Sequence, residues 1–341
     1  MCLKVLIIGG SGVGGGRGRS IAYRNFLISK GFNVDMVHFP GDDFSSKLWY
    51  YYQHGLSLFV GHEARNMRKT ADRLERRIKH GHYDVVIGVE TWCSYVLTRE
   101  LGCLKIFSCE SLMADELYFS KNYDQLAKIR GLREMELEMF HKADYVVFPW
   151  KTTENYVKKY IWNGDNFVTI KYGCYPQNKV ASYFFPFSII SLGSSDAYWS
   201  NPELISFLTH ISPYVIDVYG KNKPAKKYHL NYKGYASSLD ILKNYQFGLS
   251  TVSKDTFRRK HFSCRILGYL AYGLPVLSAE WMQFPHELKG VLPYNEDNFL
   301  EIVDTYSDQD KWTRLSKEAY EQALELDWNK VLLPLEKLLE K

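Results

Sequence analysis

Gly10-Ser11-Gly12-Val13-Gly14-Gly15 is the first stretch of the chain whose residue types and spacing suggest chemistry. It follows the apolar run Leu3-Lys4-Val5-Leu6-Ile7-Ile8 and precedes a helix-like segment from Ser20 to Lys30. A GxGxxG turn in that setting lets backbone N–H groups approach a diphosphate at a helix N-terminus, where the dipole favours an anion. The glycines continue through Gly16-Arg17-Gly18-Arg19-Ser20, longer than a tight dinucleotide turn. Three readings stay open at this point. Gly14, Gly15 and Gly16 contact a phosphorylated substrate; or Asp35, about 20 residues on, completes a nicotinamide-dinucleotide site; or the glycines serve only a sharp strand-to-helix turn. A Walker loop is excluded, since Arg19 stands where its Lys belongs and Val13 where its first glycine belongs.

The rest of the chain narrows the chemistry. A short-chain reductase needs Tyr and Lys one helical turn apart, so that Lys lowers the phenol pKa. Only Tyr175 with Lys179 and Tyr219 with Lys223 match, and both pairs lie in loop-like sequence. The six cysteines are scattered without a CxxC pair, so neither a disulfide framework nor a zinc site is expected. Asp308-Gln309-Asp310 is a DxD match, but it reads as the acidic start of the last long helix, and no HExxH spacing occurs. No metal is expected.

The elements that must position these residues follow a βαβ rhythm. Apolar runs at Lys4–Ile8, Asn33–His38, Asp84–Val89, Leu104–Ser108 and Tyr145–Pro149 alternate with helical segments, one of them the charged stretch Arg130–Lys142. A second series runs Ser188–Leu192, Val215–Tyr219, Phe247–Thr251 and Pro275–Ser278. Short, nearly continuous apolar runs are strands buried on both faces, as in a parallel sheet. With 341 residues the chain fits two α/β domains of about 150 residues each. The turn-rich segment Lys171-Tyr172-Gly173-Cys174-Tyr175-Pro176 is the natural linker. Residues 1–175 and 176–324 are the expected domains, with a terminal helix over 325–341.

The second half carries a further set of residues: Ile189-Ile190-Ser191-Leu192-Gly193, Val218-Tyr219-Gly220, Lys233-Gly234-Tyr235, and Tyr269-Leu270-Ala271-Tyr272-Gly273-Leu274-Pro275-Val276-Leu277-Ser278. With the glycine loop, Ala143–Phe148 and Asp327-Trp328, their order and spacing resemble GT-B glycosyltransferases, especially bacterial mannosyl- and glucosyltransferases of polysaccharide and glycolipid assembly. The resemblance implies an α/β architecture of two Rossmann-like domains with parallel sheets facing across a cleft, and a C-terminal helix returning to the first domain. It also implies a nucleotide diphosphate sugar as co-substrate, with no cofactor. The donor would meet Gly193, Ser194, Lys221, Tyr235, Arg258, Ser263 and Arg265 in the second domain. Two features depart from the pattern: Lys260 and Gly268 replace the Glu-x7-Glu pair of retaining members, and Ser194 and Ser195 stand where a basic pair is usual. Arg258, Arg259, Lys260 and Arg265 are the cations left to meet the phosphates.

Transfer with inversion needs a base for the acceptor hydroxyl. The order of preference is Glu110, then Asp115, both beyond the Leu104–Ser108 strand, then Glu90, beyond Val89. A degenerate sugar-nucleotide binding protein is the non-enzymatic alternative. Formal net charge is +5, and the excess lies wholly before Val180, with 25 basic against 19 acidic residues there and 18 against 19 after it. It concentrates in Arg65-to-Lys79, which reads either as a solvated helix face or as a patch for anionic lipid, with the aromatic run Trp49–Tyr52 nearby. No nucleic-acid module accompanies it. The opening lacks the regions of a secretory leader, so a cytoplasmic location is expected, peripheral to the membrane face where a glycan or lipid-linked acceptor would be met.

Overall fold

Val5-Leu6-Ile7-Ile8 and Val85-Val86-Ile87 carry no polar face, so each strand requires cover on both sides, and all seven side chains are buried. In the computed structural model, residues 3–10, 15–39, 62–119, 125–193, 200–254, 263–282 and 284–340 are described. Two six-stranded sheets result, ordered β2-β1-β3-β4-β5-β6 and β12-β11-β10-β7-β8-β9. Every strand pairing in both is parallel.

The first sheet contains β1 (Lys4–Gly10), β2 (Asn33–Phe39), β3 (Val85–Val89), β4 (Leu104–Ser108), β5 (Tyr145–Phe148) and β6 (Phe167–Thr169). The second contains β7 (Ser188–Leu192), β8 (Val215–Tyr219), β9 (Asn231–Gly234), β10 (Phe247–Ser250), β11 (Val276–Ala279) and β12 (Val291–Tyr294). Three of these escape the apolar-run criterion: β6, β9 and β12. Each is short and sits at a sheet edge, and β9 alternates between exposed and half-buried residues along Asn-Tyr-Lys-Gly. An edge strand covered on one side has no need of a continuous apolar run.

The helices are α1 (Gly15–Ser29), α2 (His62–Gly81), α3 (Thr91–Ser94), α4 (Met113–Phe119), α5 (Leu126–Lys142), α6 (Lys151–Tyr160), α7 (Pro202–Ile211), α8 (Cys264–Ala271), α9 (Phe299–Thr305), α10 (Gln309–Glu325), α11 (Trp328–Val331) and α12 (Leu333–Leu339). Helix α2 buries Met67, Ala71, Leu74 and Ile78, one stripe at helical spacing, and turns Arg68, Lys69, Arg73, Arg76, Arg77 and Lys79 outward. Helix α5 sends Phe140 into an aromatic cluster with Phe107, Phe148, Trp162 and Phe167, which ties both ends of the sheet's outer half together. Helix α10 begins at Asp308, whose side chain accepts from the Lys311 N–H at 3.0 Å. The DxD segment is therefore the start of a helix.

The chain forms two compact units, Met1–Tyr172 with Val331–Lys341, and Gly173–Lys330. The crossings differ from the boundaries at 175 and 325 for a local reason. Cys174 N–H donates to the Leu326 carbonyl at 2.9 Å and Trp328 N–H to the Cys174 carbonyl at 3.1 Å. Residues 173–174 and 326–328 thereby belong to one packed segment of the second unit. Helix α12 belongs to the first, where Lys30 Nζ lies 2.8 Å from Glu336 Oε2.

Candidate functional site

In open parallel sheets the loops beyond the carboxyl ends of the strands bind ligands. Parallel register brings several chemically able residues to that edge of the first sheet. His38, the second-last residue of β2, lies beside Gly9 of β1, Glu90 follows β3, and Ser108 and Glu110 lie at and beyond the end of β4.

Glu90 has φ 70° and ψ 149°, a backbone region that strongly favours glycine. Its peptide is held from both sides. The Glu90 N–H donates to the Ser108 carbonyl at 3.1 Å, and Ser94 Oγ donates to the Glu90 carbonyl at 2.5 Å. The carboxylate lies over the start of the glycine loop: a Cβ added to Gly10 would stand 2.6 Å from Glu90 Oε2. Next to it, the hydroxyl of buried Thr91 has no hydrogen-bond partner among the described residues. His38 Nδ1 is likewise buried without one.

Glu110 is a different kind of carboxylate. Its side chain is 7% exposed, and Oε1 lies 3.2 Å from Nε of fully buried Arg19 while accepting from Ser108 Oγ at 2.7 Å. Burial raises its pKa, against the lowering by Arg19 and Ser108. Arg19 in turn donates to Tyr23 Oη and to the Ile170 carbonyl, each at 2.7 Å, and its guanidinium faces the Tyr172 ring. Burial works against the Arg19 charge, and Glu110, Tyr23 and Tyr172 more than offset it. This network joins α1 to β4 and to the segment after β6.

Asp115 is held at 2.5 Å by Arg133 Nη2, whose Nη1 donates to Glu136 Oε2 at 2.8 Å. Glu136, fully buried, accepts the Ala114 N–H at 3.2 Å, and burial pushes its pKa up to about 7 despite Arg133. Tyr156 lies beside Asp115, its phenol pushed up to about 12 by burial and by the Asp115 charge. The three acids named from sequence thus occupy three environments: Glu90 strained against Gly10, Glu110 paired with Arg19, and Asp115 paired with Arg133.

Gly15 and Gly16 open α1 as helical residues, so the glycine loop is shorter than the sequence suggests. Gly14 lies outside the described residues, as do Ser194, Arg258 and the aromatic run Trp49–Tyr52.

At the carboxyl edge of the second sheet, Gly193 follows β7 with φ 130°. A Cβ on Gly193 would stand 2.8 Å from the guanidinium carbon of Arg265, so glycine is what allows that side chain to lie against the strand end. One turn along α8, Tyr269 Oη accepts the Leu192 N–H at 2.8 Å and fixes the helix to β7. Ser263 is the residue before α8, and its side chain makes no cap hydrogen bond. Lys221 is exposed just beyond β8, and Tyr235, 63% exposed, follows Gly234 of β9. Gly193, Lys221, Tyr235, Ser263 and Arg265 are thus placed on loops and one helix start at a single sheet. Among the described residues, no three His, Cys, Asp or Glu side chains gather as a metal set.

Sequence reasoning overlooks Arg19, Tyr23 and Ser108, whose roles arise from contacts across 85 to 151 residues. It also passes over Tyr269 as a clamp, although that residue lies in the most specific motif of the second half.

No protein-family model matches the chain, and no curated protein sequence does. Solved structures match it over nearly its full length. Sucrose-phosphate synthase from Thermosynechococcus elongatus is 14% identical, with a TM-score of 0.74 over 99% of this chain and 98% of that one. Anabaena HepE in complex with UDP-glucose is 13% identical, with a TM-score of 0.68 over 99% of each chain. A UDP-forming α,α-trehalose-phosphate synthase from Burkholderia vietnamiensis is 12% identical, with a TM-score of 0.66 over 100% and 97%. With two parallel six-stranded α/β sheets and these full-length likenesses, the chain has the GT-B fold of nucleotide-sugar glycosyltransferases.

Proposed function

We propose that the protein is a glycosyltransferase that moves a sugar from a nucleoside diphosphate sugar to a hydroxyl acceptor without a cofactor or metal. The observation that carries this reading is the placement of the Arg265 guanidinium against Gly193 at the carboxyl edge of a parallel sheet. A planar cation beside a strand end opened by glycine suits a diphosphate, whose oxygens accept paired N–H donors. Lys221 beyond the adjacent strand adds a second positive charge, and Tyr235 an exposed ring for a base to stack on. Uridine diphosphate sugars are the first donors to test, because HepE is solved with UDP-glucose and the trehalose-phosphate synthase is UDP-forming. A thermal-shift panel of nucleoside diphosphate sugars tests the donor, since a ligand that binds only the folded state raises Tm by mass action. Failure of every nucleotide sugar to shift Tm, at concentrations where a control protein responds, would overturn the reading.

The acceptor proposed is a lipid-linked glycan or a polysaccharide precursor, met at a membrane face inside the cell. No helix among the described residues is long and apolar enough to cross a membrane. The support is the outward row on α2, Arg68, Lys69, Arg73, Arg76, Arg77 and Lys79, interrupted by Asp72 and Glu75. Each such residue near an anionic surface contributes about 1 kcal/mol, screened within about 8 Å at physiological salt. Sedimentation with phosphatidylserine vesicles should therefore be strong at low salt and fall steeply as salt rises. Equal binding to neutral vesicles would favour a soluble acceptor.

A further inference from the structure

The chain after Val180 is close to neutral, with 18 basic against 19 acidic residues. Residues 221–239 depart from that balance, since they hold five lysines and His229 and no acid. We infer that the exposed lysines Lys223, Lys226 and Lys227, together with Phe207 on the outer face of α7, form a contact on the second unit for an anionic phospholipid surface. The contact lies within one unit, and it depends neither on the transferase chemistry nor on the basic row of α2.

The frame that presents these lysines is ordered. Beyond β8, Pro224 is buried, Lys226–Tyr228 forms a 3-10 turn, and His229 turns the chain at φ 49° before β9. The Tyr228 hydroxyl donates to Glu203 Oε1 of α7 at 2.8 Å, which fixes the turn against that helix. The Lys227 ammonium stands 4.8 Å from the centre of the Tyr228 ring, where the cation is attracted to the ring face. Phe207 lies one helical turn from Glu203 on the same face of α7. That helix buries Leu204, Ile205 and Leu208, whereas Phe207 is 45% exposed and so stands outside the core stripe.

The positive charge of the turn is largely unspent. Lys233 lies 3.7 Å from Asp217 Oδ1, and Glu203 stands beside Tyr228. Lys223, Lys226 and Lys227 are exposed and make no ion pair among the described residues. Only Lys233 is on the edge strand β9, where a lysine also deters pairing with another sheet. The other three lie off the strand and have no such task. Their type narrows the partner. Recognition of a single phosphate or of base edges favours the planar fork of arginine, whereas a point charge on a flexible stem suits a diffuse anionic surface. An exposed phenyl ring near lysines supplies the apolar half of an interfacial contact, because it can enter the boundary between headgroups and acyl chains.

The test is sedimentation of the full chain with phosphatidylserine-containing vesicles at low salt, beside calorimetric titration with uridine diphosphate. The triple variant Lys223→Gln, Lys226→Gln, Lys227→Gln should bind these vesicles about 10²-fold more weakly, at about fivefold for each lysine. Lys221 is left unchanged because it is assigned to the donor. The triple variant Lys223→Arg, Lys226→Arg, Lys227→Arg should bind vesicles as the wild type does, since charge rather than shape is read. Phe207→Ser should weaken vesicle binding severalfold without changing the steepness of its salt dependence. All three proteins should keep the wild-type Tm and the wild-type affinity for uridine diphosphate. Should the glutamine variant unfold early, Lys226→Gln alone carries the comparison, with an expected loss of about fivefold. Unchanged vesicle binding in the glutamine variant or in Phe207→Ser would overturn the inference. It would leave the α2 reading intact if neutralising the α2 row still abolished binding. Weakened uridine diphosphate binding in the glutamine variant, or tighter binding of single-stranded RNA than of vesicles by the wild type, would overturn it as well.

Discussion

At the carboxyl edge of the first sheet stand the carboxylates Glu90 and Glu110, and at the corresponding edge of the second stand the cations Arg265 and Lys221. Glycine assists both, by different means. Gly10 leaves room for an acid and Gly193 leaves room for a guanidinium. The residues named at the two edges thus differ in charge, although Glu280 also follows β11 at the second edge and Glu110 at the first is neutralised by Arg19. An acid suits a group that must lose a proton, and a cation suits a departing diphosphate. The proposed function places acceptor chemistry on the first unit and donor binding on the second, although the overall positive excess of the sequence lies in the first.

The largest effect that would sharpen this contrast is on folding. Removing Glu110 strands the Arg19 charge in a fully buried site, and breaking a buried pair from one side costs about 3–5 kcal/mol. Glu110→Ala should lower the urea midpoint accordingly, while the double variant Arg19→Met with Glu110→Leu should recover much of it, since an apolar pair leaves no charge behind. A wild-type midpoint for Glu110→Ala would mean that the pair does not sustain the first unit and would return Glu110 to the list of bases.

A somewhat smaller effect concerns pH. Glu136 has its pKa raised from the ordinary 4.5 to about 7 by burial, so between those values the folded state holds a proton that the unfolded chain has lost. The stabilisation tied to that proton is fully present below about pH 4.5 and disappears as pH rises through about 7. Its ceiling is about 3 kcal/mol, from the size of the shift at 1.36 kcal/mol per unit. Glu136→Gln should flatten the stability profile across that window. An unchanged slope in the variant would place the ionisation elsewhere.

The smallest expected effect lies on the donor side. Arg265→Ala should weaken uridine diphosphate binding about tenfold or more, in line with a charge-assisted hydrogen bond of about 1.5–3 kcal/mol, and leave uridine binding nearly unchanged. Calorimetric titration with the two ligands reads the difference directly. Equal loss for both would break the proposed division between the edges, because Arg265 would then be supporting the fold of α8 rather than meeting phosphate.

The fold was largely legible in the sequence where the physics is local. Central strands such as β1, β3 and β10 must be apolar along their length, and the last long helix shows its buried stripe of Trp312, Leu315, Ala319 and Ala323. The edge strands β6, β9 and β12 were not legible, because one-sided cover removes the signal. The candidate site was legible as positions, since Glu90, Glu110, Gly193 and Lys221 all follow strands, but not as roles.

Sequence by itself determined that two parallel sheets would form, that a glycine loop would follow the first strand, and which acids and cations would stand near the strand ends. Only the tertiary structure decided what each of them faces. Arg19 reaches Glu110 and Ile170, Arg265 reaches Gly193, and Glu90 reaches Gly10. These partners are separated by tens of residues or more, so no window along the chain contains both. The positive φ of Glu90 is of the same kind, since the conformation is imposed by a carbonyl of the neighbouring strand and a serine hydroxyl of the next turn. Residue type sets what a group can do, and the environment assembled around it sets whether it is a base, a counter-charge or a cradle for phosphate.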